Sequence, residues 1–166
     1  MPSKKICLLG ATGAGKTSLV ARFVRSMFSE KYQTTIGVKV DKKEIEIAGE
    51  NIRLMIWDLE GEDETVDINM KYTRSADGCL LVADGTRAHT LDTALSIHQR
   101  LTDQNGPVPC ICLLNKHDMV DDWVFTDADT AELDKRNIPW LNTSAKAGEN
   151  VNEAFTDLAR QALGTS

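Results

Sequence analysis

Nine residues near the start of the chain, "GATGAGKTS" (10–18), carry the spacing G-x-x-x-x-G-K-[ST] between an apolar run and a segment of helical period. Glycines at 10, 13 and 15 let the backbone turn so that successive N–H groups point inward. Together with the positive end of the helix that follows, those groups make a cradle for phosphate oxygens. Lys16 would reach the β- and γ-phosphates as a mobile point charge, and Thr17 would lend its hydroxyl to Mg²⁺. The expected phosphate-binding residues are therefore Gly13, Ala14, Gly15, Lys16, Thr17 and Ser18.

A phosphate cradle does not choose a base. "NKHD" ends a later apolar run and supplies Asn115, Lys116 and Asp118. A carboxylate there accepts from both the N1–H and the exocyclic amine of guanine, whereas adenine has no matching donors and would leave it desolvated and unpaired. Such pairing rejects the wrong partner by roughly 10⁴–10⁵. "TSAK" (143–146) closes the next run: with Ser144 in the loop, the Ala145 N–H is placed to meet guanine O6 and Lys146 to flank the base. Each tetrapeptide alone reads as a turn. In this order, after these runs, they read as a guanine pocket.

A third stretch, "IWDLEGEDE" (56–64), puts five acidic residues into seven positions, 58–64. The ordinary reading of such a run is a solvated loop.

These stretches need elements to hold them. Apolar runs at 4–10, 52–58, 78–84, 109–115 and 138–144 read as buried strands. "KTSLVARFVRSMF" puts Leu19, Val20, Phe23 and Val24 on one helical face, and "NVNEAFTDLARQAL" does the same with Val151, Phe155, Leu158 and Ala162. Asn150 is expected to cap that last helix, with Glu153 reaching back to it. Strands alternating with helices predict an α/β fold: three layers, α/β/α, around a mostly parallel six-stranded sheet. Residues 37–58 lack a helical interval. Their period-2 alternation (Ile45, Ile47), broken by "AGEN", predicts a hairpin that adds one antiparallel strand at the sheet edge. Ligands of such sheets bind beyond the carboxyl ends of the strands, so the loops after residues 10, 58, 84, 114 and 143 should share one face.

The phosphate loop, "YQTTIGVKV" (32–40), "WDLEG", "NKHD" and "TSAK" together resemble the Ras superfamily of small GTPases, and "TIGV" with "IWD" is most similar to its Rab branch. The likeness runs from about Lys4 to Ala162 and implies one P-loop NTPase domain of the small G type over 1–166. It implies a GTP-binding switch that hydrolyses GTP to GDP with Mg²⁺. By the same resemblance Thr35 closes onto Mg²⁺ and the γ-phosphate, Asp58 supports Mg²⁺ indirectly, through a ligand or a water, and Gly61 gives its N–H to the γ-phosphate. Phe28 walls the guanine and Tyr32 lids the phosphates. Lys16, Thr35, Gly61 and Glu62 form the implied catalytic set. The switch segments fall at about 29–40 and 59–74, where effector, exchange-factor and GTPase-activating proteins would read the nucleotide.

The acidic stretch is where the chain departs from the family. Glu62 stands where a glutamine usually orients the attacking water, and Glu60 replaces a small residue. A carboxylate at 62 accepts a hydrogen bond from water and can take its proton, but it lacks the amide donor and adds charge beside a triphosphate. Two readings follow: a self-resetting switch, and a GTP-holding interaction module with impaired hydrolysis. No arginine lies between Phe28 and Val40 to act as a built-in finger, so hydrolysis should be slow, on the order of 10⁻⁴–10⁻³ s⁻¹ as in Ras itself. Thr12, bulkier than glycine, could crowd an incoming arginine from an activating partner, although a hydroxyl-bearing residue here is common in the Rab branch that the chain resembles.

The 166 residues fit one domain, and a net charge of −6 with scattered Lys and Arg argues against nucleic acid as a partner. The four cysteines lie in apolar runs without C-x-x-C spacing and read as buried thiols suited to a reducing cytosol. His89, His98 and His117 lack metal-site or dyad spacing, and His117 reads as a surface residue. The expectation is a cytoplasmic monomer without a lipid anchor in the chain as given. Peripheral membrane association is expected only if a C-terminal tail follows "ALGTS".

Overall fold

The computed structural model describes residues 1–26, 38–59 and 70–164. In chain order they form β1 (Ser3–Gly10), α1 (Lys16–Arg25), β2 (Lys39–Ile47), β3 (Glu50–Asp58), β4 (Gly78–Asp84), α2 (His89–Asn105), β5 (Cys110–Asn115), α3 (Asp127–Lys135), β6 (Trp140–Asn142) and α4 (Val151–Ala162). The strands make one six-stranded sheet in the order β2-β3-β1-β4-β5-β6. Every neighbouring pair is parallel except the β2–β3 hairpin. The expected mixed sheet with one antiparallel edge strand is the observed one.

The central strands are apolar at nearly every position because both faces are covered. Ile6, Leu8, Leu80, Val82, Ile111 and Leu113 pack into the core that holds α1 and α4. Their alternates, among them Cys7, Leu9, Cys79, Leu81 and Cys112, pack into the core that holds α2 and Leu133 of α3. This is the period of two that a parallel strand hides when both neighbours are helices. On one side Phe23 of α1 stacks on Phe155 of α4, with centroids 4.1 Å apart and planes within 2°. On the other, Cys7, Cys79 and Cys110 share one register row across β1, β4 and β5. All four thiols are buried and free, as read from their apolar runs.

Sheet order decides where a ligand goes. From β1 the chain crosses to β3 on one side and to β4 on the other, so the carboxyl end of β1 lies at a topological switch point. The phosphate loop leaves β1 there.

Three local expectations shift. The hairpin turn is tighter than "AGEN": Ala48 (φ 52°) and Gly49 (φ 79°) alone make it, both left-handed as a type I′ turn requires, and Glu50 and Asn51 already pair in the ladder. The run 138–144 contracts to β6 at Trp140–Asn142, because Thr143 and Ser144 turn into the loop at the site. Asn150 does not cap α4 through its side chain. It adopts φ 56° and its amide Nδ2 donates instead to the Asn142 carbonyl at 2.9 Å. A capping box does form at α3, where the Thr126 N–H donates to Asp129 Oδ2 at 2.8 Å.

Candidate functional site

The phosphate loop is held from both sides by contacts that fix its glycines. Gly15 has φ 103°, and an added Cβ would land on the Asn115 side-chain amide. At Gly10 a Cβ would strike the Val82 backbone of the neighbouring strand. Gly13 lies between them, followed by Ala14, which is buried in the α1–α4 core. Lys16 is fully buried and curls back so that its ammonium donates to the carbonyls of Gly10 and Ala11, both at 2.8 Å. A buried ammonium favours an anion nearby. No acidic residue lies within the first turn of α1 itself, so the positive end of the helix is not offset by a carboxylate of its own turn. The donor set suits phosphate.

Beside it, the Thr17 hydroxyl donates to Asp58 Oδ2 at 2.7 Å, and Asp58 is 1% exposed at the end of β3. Two hard oxygens from different strands' loops meet next to the cradle, which suits Mg²⁺.

The base-reading residues converge on the same face. Asn115 is buried, donates from Nδ2 to the Ala14 carbonyl at 2.9 Å and accepts from the Thr143 hydroxyl at 3.1 Å. The Ser144 hydroxyl donates to Asp118 Oδ1 at 2.7 Å and accepts from the Ala147 N–H at 2.9 Å, which leaves the Asp118 carboxylate oriented at the surface. Lys116, in the left-handed region at φ 69°, pairs with Asp84 Oδ2 at 2.9 Å. Ala145 is buried and Lys146 exposed; Arg22 donates to the carbonyls of both, at 2.7 and 2.5 Å. The described residues after 10, 84, 114 and 143 meet on one face together with Asp58 at the end of β3, while the loop after 58 lies outside the described residues beyond Leu59.

With that arrangement in place, a family model described as the Ras family matches residues 5–164. The chain belongs to the Ras family. It is 34% identical to the Ras-related protein Rab-7a of Dictyostelium discoideum, over 96% of this chain and 82% of that protein. It is 32% identical to the Ras-related protein Rab-7L1 of Rattus norvegicus, over 98% of this chain and 83% of that protein. This Rab-like member of the Ras family is thus a GTP-binding small GTPase with the three-layer G-domain sheet.

For this Ras-family chain, the structure gathers Gly13 to Ser18, Asp58, Asn115, Lys116, Asp118 and Ser144 to Lys146 at the carboxyl ends of the strands. Phe28, Tyr32, Thr35, Gly61 and Glu62 lie outside the described residues. His117 is not merely a surface residue: its Nδ1 meets the Glu149 carboxylate at 2.9 Å and its ring lies edge-on to Trp123. Sequence reasoning attached no role to Arg22, Asp84, Arg87 or Thr143. For Asp84 a signal existed, since it ends a strand at the ligand-facing side. Burial works against its ionisation, yet Lys116, Thr86 and Arg87 outweigh burial and hold its carboxyl below the ordinary value.

Proposed function

We propose that this GTPase is a Mg²⁺-dependent switch with slow intrinsic turnover, and the observation that supports it most is the Thr17–Asp58 pair beside the phosphate loop. Thr17, Asp58 and Thr35 would hold Mg²⁺, which when bound neutralises charge on the phosphate oxygens. Lys16 would bind the β- and γ-phosphates, the Gly61 N–H would meet the γ-phosphate, and Glu62 would act on the attacking water. Phe28 and Tyr32 would enclose the nucleotide. Residues 29–40 and 59–74 would carry the nucleotide state to effector, exchange-factor and activating proteins. The chain would work as a cytoplasmic monomer.

The second reading, a GTP-holding interaction module, is favoured by Glu62 standing in place of the usual glutamine. Single-turnover hydrolysis of bound GTP in native protein and Glu62→Gln separates them. A faster Gln variant makes Glu62 a brake and favours the module; a slower one makes Glu62 a working replacement and favours the self-resetting switch. A native rate above about 10⁻¹ s⁻¹ contradicts slow turnover in either form. Equal hydrogen exchange of the two switch segments with GDP and with a GTP analogue would count against the switch itself.

A further inference from the structure

Asp84, the last residue of β4, is a hub joining two loops that the nucleotide chemistry needs separately. The side chain is 1% exposed. Its Oδ1 accepts from the Thr86 N–H at 2.9 Å and the Thr86 hydroxyl at 2.7 Å. Its Oδ2 accepts from two cations, Arg87 Nε at 2.9 Å and Lys116 Nζ at 2.9 Å. Arg87 continues the chain of contacts: Nη2 donates to the Thr12 carbonyl of the phosphate loop at 2.7 Å. Lys116 belongs to the base-reading loop and holds a left-handed backbone that a non-glycine residue rarely adopts. One buried carboxylate therefore ties the phosphate end of the site to its base end.

The local backbone supports this hub. The Thr90 hydroxyl accepts from the Asp84 N–H at 2.8 Å, and the Gly85 N–H donates to the Asn115 carbonyl at 2.9 Å, so the β4 and β5 loops are already locked together at the main chain. The phosphate loop is tied to β5 by the Asn115 amide, which donates to the Ala14 carbonyl at 2.9 Å. The Arg87 guanidinium adds a link at Thr12, as a planar fork able to serve a carboxylate and a carbonyl at once.

We propose that Asp84 and Arg87 are positioning residues that set how long the guanine nucleotide stays bound, Arg87 by holding the phosphate loop at Thr12 and Asp84 by orienting Arg87 and Lys116 together. The inference rests on the guanine-nucleotide reading of the site. Neither residue touches the nucleotide in this role. Removing the fork should therefore be felt through the phosphates that the loop cradles. Removing the carboxylate should be felt at both ends.

The test uses the full chain loaded with a fluorescent GDP and chased with excess GDP, alongside GMP affinity by competition. Arg87→Gln should speed GDP release about tenfold, the loss expected for one charged hydrogen bond. Its GMP affinity should stay within about twofold, because GMP carries a single phosphate. Arg87→Lys should not rescue, since a point charge keeps the pairing with Asp84 but not the reach to Thr12. Asp84→Asn should weaken GDP and GMP alike. Should Asp84→Asn not fold, the two Arg87 variants still decide. A wild-type chain that holds GDP while Arg87→Gln releases it at the wild-type rate, or loses GDP and GMP equally, overturns the inference. A wild-type chain that retains no GDP overturns the guanine reading and the inference with it.

Discussion

The Thr17 hydroxyl and the Asp58 carboxylate meet at 2.7 Å, joining the first turn of α1 to the end of β3. Neither oxygen is brought there by its own element alone; the parallel pairing of β1 with β3 sets the separation. Thr17→Ala should leave the fold intact and release GDP about tenfold faster in Mg²⁺. Chelation by EDTA should speed release from native protein and change little in the variant. A variant that still accelerates on chelation as native protein does would remove Thr17 from the metal site.

The parallel stack of Phe23 on fully buried Phe155 fastens α1, and with it the back of the phosphate loop, to α4. Phe155→Ala should cost about 3–5 kcal/mol of unfolding free energy. Denaturant unfolding of nucleotide-loaded protein measures it, as a lower midpoint at similar slope. A loss under about 1 kcal/mol would mean that the site collapses around the cavity far better than such packing normally allows.

Asp84 makes stability sensitive to acid. Its folded carboxyl titrates below the ordinary value of 3.8, which the unfolded chain keeps. The unfolded chain therefore takes up the proton first. The stability contributed is complete above that ordinary value and is lost as pH falls through the lower folded one. Native protein should be more stable than Asp84→Asn near pH 5, and the gap should narrow as the pH falls below the ordinary value of 3.8 and through the lower folded one. A gap independent of pH would show that the carboxylate's charge is not what matters.

The four thiols should be silent in the folded protein. Burial pushes Cys112 up to about 12. Hydrogen bonds with Cys110 and Cys7, then burial, hold Cys79 well above its ordinary value. An aromatic disulfide reagent at about pH 8 should find almost no thiolate at Cys79 or Cys112 until denaturant is added, after which all four cysteines react. Rapid labelling of either residue in native protein would contradict the packing of the sheet's second face.

How much was legible depended on range. The phosphate loop could be read because its chemistry is local: three glycines, Lys16 and Thr17 fall within eight residues, and a strand and a helix flank them. The hairpin could be read because period-2 alternation and its turn are contiguous, although the turn proved to be Ala48–Gly49 alone. The capping role expected of Asn150 failed because its amide had a competing acceptor, Asn142, which only β6 brings near. His117 likewise gained a partner, Glu149, from a loop 32 residues on.

By itself the sequence determined the class of ligand and the sheet that would hold it, since both follow from residue type and spacing along a few neighbouring positions. The tertiary structure alone decided which side chains tie the loops to one another. Arg22 reaches the Ala145 carbonyl from 123 residues away and Arg87 reaches Thr12 from 75. Such contacts leave no local pattern, because a hydrogen bond depends on separation in space, and strand order rather than chain order sets that separation.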